Sequence, residues 1–185
     1  MDPLFVIVLV VLVLLVVGAL ALYNGLVRGR LQVREGWSGV QVQLQRRGDL
    51  IPNLVETVKG YAAHERGVFE SVTKARAQLQ TATTPGEAGA ANNALTQALR
   101  SLFAVAEAYP NLKADQNFRD LQAQLAETED KIAYARNYYN AVVMQYNSRV
   151  STIPGVFVAG PLGFHEAEFF AADEESAGLP SVKFS

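Results

Sequence analysis

Residues 4–22 read LFVIVLVVLVLLVVGALAL, nineteen positions of which eighteen are apolar and none is charged. As a helix this stretch extends about 28 Å, against a hydrocarbon core of roughly 30 Å. Lipid offers no partner to a backbone N–H or C=O, and a helix satisfies both internally. That constraint outranks the mediocre helix propensity of Val and Ile. The stretch is read as a transmembrane helix. A cleaved signal peptide is the rival reading, and Ala19-Leu20-Ala21 resembles a cleavage site. Yet Asp2 stands where a signal peptide carries Lys or Arg, and the apolar core exceeds the usual length of about 7–15 residues. The mature protein is therefore expected to begin near Met1. Arg28, Arg30 and Arg34 follow the span and no Lys or Arg precedes it. The positive-inside rule then predicts a single pass through the cell membrane, with a short N-terminus outside and residues 23–185 in the cytoplasm.

The rest of the chain has the apolar content of an ordinary soluble domain. Charged residues at 18% and an apolar half exclude a disordered chain. The absence of cysteine excludes disulfide scaffolds, thiolate zinc sites, thiol nucleophiles and lipoprotein anchoring. The two histidines, His64 and His165, are a hundred residues apart, which removes most other metal and acid–base constellations. A pI near 5.7 gives no nucleic-acid footprint.

Apolar residues after the span recur at helical spacing. Val33, Trp37, Val40 and Leu44 form one seam. A second runs from Ile51 through Leu54, Val58, Tyr61, Glu65, Val68, Val72 and Ala75 to Leu79. A third runs from Ala91 to Leu112, and a fourth from Phe118 to Tyr146. Such alternating steps of three and four suit antiparallel helix packing. Gly48 and Asp49 sit between the first two seams, as the end of one helix and the cap of the next, with Pro52 tolerated in its first turn. The run from Thr81 to Gly86 reads as a loop, Tyr109-Pro110-Asn111 as a break, Asp115 as a cap and Ile153-Pro154-Gly155 as a stop. The fold class predicted is all-α. A transmembrane anchor (1–23) is followed by an up-down antiparallel four-helix bundle (24–151, helices near 24–47, 50–80, 88–108 and 115–151). An irregular, acidic tail rich in Pro, Gly and Phe follows (152–185). With no proline in residues 4–51, the anchor is free to run straight into the first bundle helix. Gly25, Gly29, Gly36 and Gly39 mark either close helix contacts or a flexible joint.

Little in the sequence carries chemistry. A di-iron bundle needs Glu-x-x-His on two helices, but Tyr61 precedes His64 and Leu162 precedes His165 at that spacing. No HExxH, P-loop, GxSxG or zinc spacing occurs. Glu65, Arg76, Glu107, Glu129, Arg136, Asn140 and Asn147 fall on or beside the seams. They are read as interhelical pairs that fix register, in preference to a ligand site. Tyr139 and Tyr146 are read as core, and Tyr134 and Tyr138 as another face of the same helix. The tail carries Phe157, Phe164, Phe169, Phe170 and Phe184, and some of these are expected to pack on the bundle. The acidic run Asp173-Glu174-Glu175 stands between Phe170 and Phe184.

Several strings together resemble the LemA family. They are Trp37 with Arg46-Arg47-Gly48-Asp49-Leu50-Ile51-Pro52-Asn53-Leu54-Val55, then Lys59-Gly60-Tyr61-Ala62-Ala63-His64-Glu65, and Ala75-Arg76. Glu107-Ala108-Tyr109-Pro110-Asn111-Leu112-Lys113-Ala114 follows, then Thr128-Glu129-Asp130-Lys131-Ile132-Ala133, Ala135-Arg136, Tyr139-Asn140 and Tyr146-Asn147. The resemblance implies a bacterial inner-membrane protein with a short external N-terminus and a cytoplasmic helical bundle, without established enzymatic activity or cofactor. Family genes often lie near those of membrane proteases, and one relative belongs to the magnetosome membrane system. The residues of these strings are expected to be corner and register residues: Arg46, Arg47, Asp49, Pro52 and Asn53 at the first helix junction, and Tyr109, Pro110 and Lys113 at the third.

The function expected is a non-enzymatic, membrane-anchored, coiled-coil-like scaffold that self-associates and organises the membrane or envelope. The alternative is an adaptor that presents its bundle or tail to a membrane protease or other membrane enzyme. Expected partners are the bilayer, further copies of the chain and, in the adaptor reading, a membrane protein; nucleic acid is not expected. No catalytic, cofactor-binding or metal-binding residue is assigned. The small residues Ala88, Gly89, Ala90 and Ala91 permit close helix approach. Charge is divided, with nine bases and five acids in residues 28–76 and five acids and one base in residues 161–185.

Overall fold

The computed structural model describes residues 2–170. Its first helix, α1, spans Pro3–Lys59 without interruption. It contains the apolar stretch, with a mean hydropathy of 3.5 over the most apolar window, none of it buried by the rest of the chain. The other helices are α2 (Arg66–Thr81), α3 (Pro85–Glu107), the short α4 (Pro110–Ala114), α5 (Gln116–Ser151) and the short α6 (Gly155–Ala159). Among the described residues there is no strand, so the protein is all-helical with one long apolar N-terminal helix.

The first two predicted helix limits are corrected. The chain does not break at Gly48-Asp49, and Asp49 caps nothing; its Oδ1 accepts from Gln45 Nε2 at 2.8 Å within α1. The break lies at residues 60–65 instead. Pro52 is inside α1, where its missing N–H deprives the Gly48 carbonyl of its usual partner and its ring crowds that same carbonyl. Gly48 is buried, so an orphaned carbonyl there is costly. Arg76 on α2 supplies the lost bond, Nε donating to Gly48 O at 2.8 Å. With that partner the helix passes through its proline.

The chain forms two compact units. The larger comprises residues 38–137 and, of the described tail, residues 168–170. In it α2 and α3, joined by three residues, pack against each other as a helical hairpin. Phe69, Val72, Ala75 and Leu79 of α2 are buried, as are Ala88, Asn92, Leu95, Leu99, Leu102 and Ala106 of α3. Of the small-residue run, Ala88, Gly89 and Ala91 are buried and Ala90 is exposed. Thr84 starts α3 with a capping box. Its hydroxyl accepts from Glu87 N, and the Glu87 carboxylate accepts from Thr84 N and from both the N–H and the hydroxyl of Thr83. Asp115 starts α5 as expected, with Oδ1 accepting from Phe118 N at 3.0 Å.

The smaller unit comprises residues up to Trp37 and residues 138–167. Its core holds Leu26, Tyr146, Val150, Ala159 and Phe164. Here α1 and the end of α5 run antiparallel at close range. A Cβ added at Gly36 would stand 3.5 Å from Tyr139, and one at Gly29 only 3.0 Å from the Tyr146 ring. Gly29 and Gly36 are thus close-contact positions, whereas Gly25 and Gly39 face open space. Of the tail phenylalanines, Phe164 and Phe170 are buried while Phe157 and Phe169 are exposed. Phe184 and the acidic run Asp173-Glu174-Glu175 lie outside the described residues.

Candidate functional site: a buried arginine and the helix corners

The seam Val33, Trp37, Val40, Leu44 continues in the same steps through Arg47 to Ile51, Leu54 and Val58. Because α1 is continuous, this is one seam, and it carries an arginine on its inner face. Arg47 is only 4% exposed. Its Nη1 donates to Asn92 Oδ1 and its Nη2 to Thr96 Oγ1 at 3.0 Å, both on α3. Glu129 Oε2 on α5 lies 2.8 Å from Nη1. That oxygen meets Nη1 as an ion pair and not in hydrogen-bond geometry, and Nε is buried without a hydrogen-bond partner among the described residues. Burial pulls the arginine down from its ordinary value, and the Glu129 carboxylate opposes the shift. The guanidinium remains a fixed charge that joins α1, α3 and α5. Arginine is not a proton carrier near neutral pH, so Arg47 itself serves here as a charged link between three helices.

The remaining family-string residues are distributed around this centre in the larger unit. Arg46 is exposed, and its charge, behind the bonded Lys131, helps to hold Glu127 below the usual carboxylate range. Asn53 is exposed, and its carbonyl accepts from the Thr57 hydroxyl at 2.8 Å. Tyr61 is in the α1–α2 turn, not on a helix seam, and its hydroxyl donates to Asp115 Oδ2 at 3.0 Å. Glu65, also placed on the seam by spacing, is the residue before α2 and makes no side-chain cap. Glu107 ends α3 exposed. Tyr109 is extended, Pro110 occupies the first turn of α4, and Lys113 lies in its last. Arg136 is half-buried on α5.

In the smaller unit, Trp37 packs on Tyr139 with ring centroids 5.6 Å apart, and Asn140 is half-buried. Asn147 acts as a clamp. Its Nδ2 donates to Ala167 O at 2.9 Å, and its Oδ1 accepts from Ala167 N at 2.7 Å. The side-chain amide thereby replaces a strand neighbour for the extended segment after α6. Arg30 fixes the same segment, with Nη2 donating to Gly163 O at 2.6 Å and the guanidinium 4.3 Å from the centroid of the Phe164 ring. The other edge of Phe164 meets Tyr23 at 5.9 Å.

Spacing alone singled out Glu129 and Asn147 as polar residues on or beside the seams; the structure sets the first against Arg47 and bonds the second to Ala167. Arg47 was visible only through the family string, although its step from Leu44 was available once Gly48 was not taken as a stop. Asn92 and Thr96 had no signal beyond their place on α3. Among the described residues no three His, Cys, Asp or Glu side chains cluster as metal ligands do.

These features define a class: an all-helical protein whose long first helix begins with an exposed apolar stretch of membrane-spanning length and carries, further along, the arginine of a polar lock to two other helices. The chain belongs to the LemA family, whose model matches residues 36–184. It is 29% identical to the magnetosome protein MamQ 2 of Paramagnetospirillum magneticum, over 76% of this chain and 61% of that protein. It is 26% identical to the magnetosome protein MamQ of Magnetospirillum gryphiswaldense, over 84% of this chain and 66% of that one. It is 25% identical to the protein LemA of Metamycoplasma hominis, over 82% and 69%. The chain spans less than two thirds of the length of the MamQ proteins it matches.

Proposed function

We propose that this protein is a non-enzymatic scaffold of the bacterial inner membrane. One pass of α1 anchors it, with the short N-terminus outside and an up-down four-helix bundle in the cytoplasm, and it self-associates to organise the membrane. The observation that carries the reading is α1 itself. Its first turns present apolar side chains that no other part of the chain covers, and the same unbroken helix continues into the register lock at Arg47. An apolar surface of that size and length matches the hydrocarbon core of a bilayer. The buried Arg47 is bonded to Asn92 and Thr96 of α3 and paired with Glu129 of α5, which suits a mechanical part. The magnetosome proteins among its relatives support a role in an organised membrane.

The adaptor reading has its own observation: Tyr134 stands 77% exposed on α5, a large aromatic offered to solvent, as interface residues often are. Extraction of the full-length protein from membrane and sizing of the particle separates the two. A discrete large assembly of this chain alone supports the scaffold. A small particle with a stoichiometric second protein supports the adaptor, and a strictly monomeric particle at all concentrations defeats self-association.

A further inference from the structure

We propose that residues 153–162 form a second membrane contact, a short apolar cap that enters the interfacial layer of the bilayer beside the end of the transmembrane span. The proposal rests on the reading that residues 4–22 cross the membrane.

The smaller unit fixes the level of this cap. Going towards the N-terminus of α1, Gly36 meets Tyr139, Gly29 meets Tyr146, and the Gly25 carbonyl accepts from Arg149 Nη1 at 3.4 Å. Each turn towards the apolar stretch on α1 is matched by a turn towards the C-terminus of α5. The next residues in that register, Ala21 and Leu22 with Ile153 and Pro154, line one small cavity of about 210 Å³. Ala21 and Leu22 are the last two residues of the apolar stretch. The end of α5 and the start of α6 therefore stand where that stretch ends.

The composition of the cap fits that level. From Thr152 to Phe164 there is no charged residue. Val158, Ala159 and Phe164 turn inward onto Leu26 and Val150. Ile153, Val156, Phe157 and Leu162 turn outward, and Ile153 and Phe157 are 75% and 72% exposed. In water these side chains are unexplained; beside a lipid-spanning helix their apolar surface continues its own. Basic residues lie on the side away from the stretch. Arg28, Arg30, Arg34 and Arg149 are all exposed, and acidic headgroups of the inner leaflet complement them. A cap of this kind would add a point of attachment well off the axis of α1 and so restrict rotation of the unit about its anchor.

The absence of cysteine allows a direct test on the full-length protein in vesicles of phosphatidylethanolamine and phosphatidylglycerol. A spin label is placed at Val13→Cys, Ile153→Cys or Phe157→Cys, one at a time. Its relaxation by oxygen, which concentrates in lipid, is compared with that by a water-soluble nickel chelate. The expected result is strong oxygen access and little nickel access at position 13, with a shift in the same direction, intermediate in depth, at 153 and 157. In the Phe157→Cys chain, adding Ile153→Asp and Leu162→Asp is expected to return the label to water while position 13 stays in lipid. Label in lipid at 13 but in water at 153 and 157 overturns the cap and leaves the anchor intact. Label in water at position 13 overturns the anchor reading and the cap with it. Spin–spin broadening at 157, present equally in detergent, would assign the surface to a second copy of the chain and overturn the lipid contact.

Discussion

Arg47 shows how a single charged side chain inside a helical protein is made tolerable and what it contributes. Two neutral acceptors and one carboxylate surround its terminal nitrogens, while Nε has no hydrogen-bond partner among the described residues. Arg47→Ala is expected to cost about 3 kcal/mol, the low end of the range for removing one member of a buried pair. The low end applies because Glu129 is 45% exposed and can turn to water. Arg47→Met, which fills the same space, is expected to cost about 1 kcal/mol or less while loosening register. Chemical denaturation in micelles measures the first difference, and broadened amide spectra of the Met variant would report the second. The Tyr61–Asp115 bond carries a pH signature. The Phe118 N–H first, and then the Tyr61 hydroxyl, hold Asp115 below its ordinary value of 3.8, so its contribution is complete above that value and is lost as pH falls through the lowered one. The Asp115 carboxylate raises Tyr61 above 10.0, so that contribution is complete below 10.0 and is lost as pH rises through the raised value. Asp115→Asn is expected to remove both limbs of the stability profile, whereas Tyr61→Phe removes the alkaline limb and only weakens the acid one, because the Phe118 N–H still holds Asp115. Thermal melts across pH on the full-length protein read both limbs.

At the scale of the element, α1 succeeds as one helix because its weakest point has an external partner. Pro52 withdraws a hydrogen bond from the Gly48 carbonyl, and Arg76 gives one back. Arg76→Met is expected to destabilise the protein by about 2 kcal/mol, since it strips a charged donor from a buried carbonyl. In a Pro52→Ala background the substituted residue offers its own N–H to the Gly48 carbonyl. There the same Arg76→Met change should cost less than about 0.5 kcal/mol, so the two mutations couple strongly. Equal effects of Arg76→Met in both backgrounds would sink this account. The same element explains what could be read in advance. The apolar stretch, the capped start of α5 and the break before Pro110 follow local chemistry, and local chemistry is written in sequence. The helix limits at Gly48 and at residues 60–65 do not. A Gly four residues before a Pro resembles a stop, and only the distant Arg76 makes it continuous. Conversely, the three-and-four spacing of Val58, Tyr61, Glu65 and Val68 carried on across a turn by coincidence, although Gly60 marked the place. The Arg47 lock was obscured for the same reason, because dividing α1 placed it at a junction and hid its position on the inner face.

For the whole molecule the decisive asymmetry is charge. Nine bases and five acids occupy residues 28–76, directly after a span with no basic residue before it. Basic residues close to a span are retained on the cytoplasmic side, where the membrane potential and anionic lipids both favour them. Arg30 is also tied to Gly163 and Phe164, so the folded smaller unit itself holds one of these charges close to the apolar stretch. Orientation can be measured without interference, since every introduced cysteine is the only one. Asp2→Cys is expected to react with a membrane-impermeant maleimide on intact spheroplasts, and Gln122→Cys only after the membrane is opened. The proposed orientation is wrong if Gln122→Cys is labelled from outside and Asp2→Cys is protected. Changing Arg28, Arg34 and Arg46 together to Glu is expected to raise the inverted fraction, because it reverses the local bias without touching the contacts of Arg30 or Arg47. Neutral Gln replacements at the same three positions should have nearly the same effect, since acidic residues add little to the rule beyond the loss of the positive charge. A matching response to Glu and to Gln would tie the membrane orientation to the arginines that follow the span and not to the apolar stretch alone.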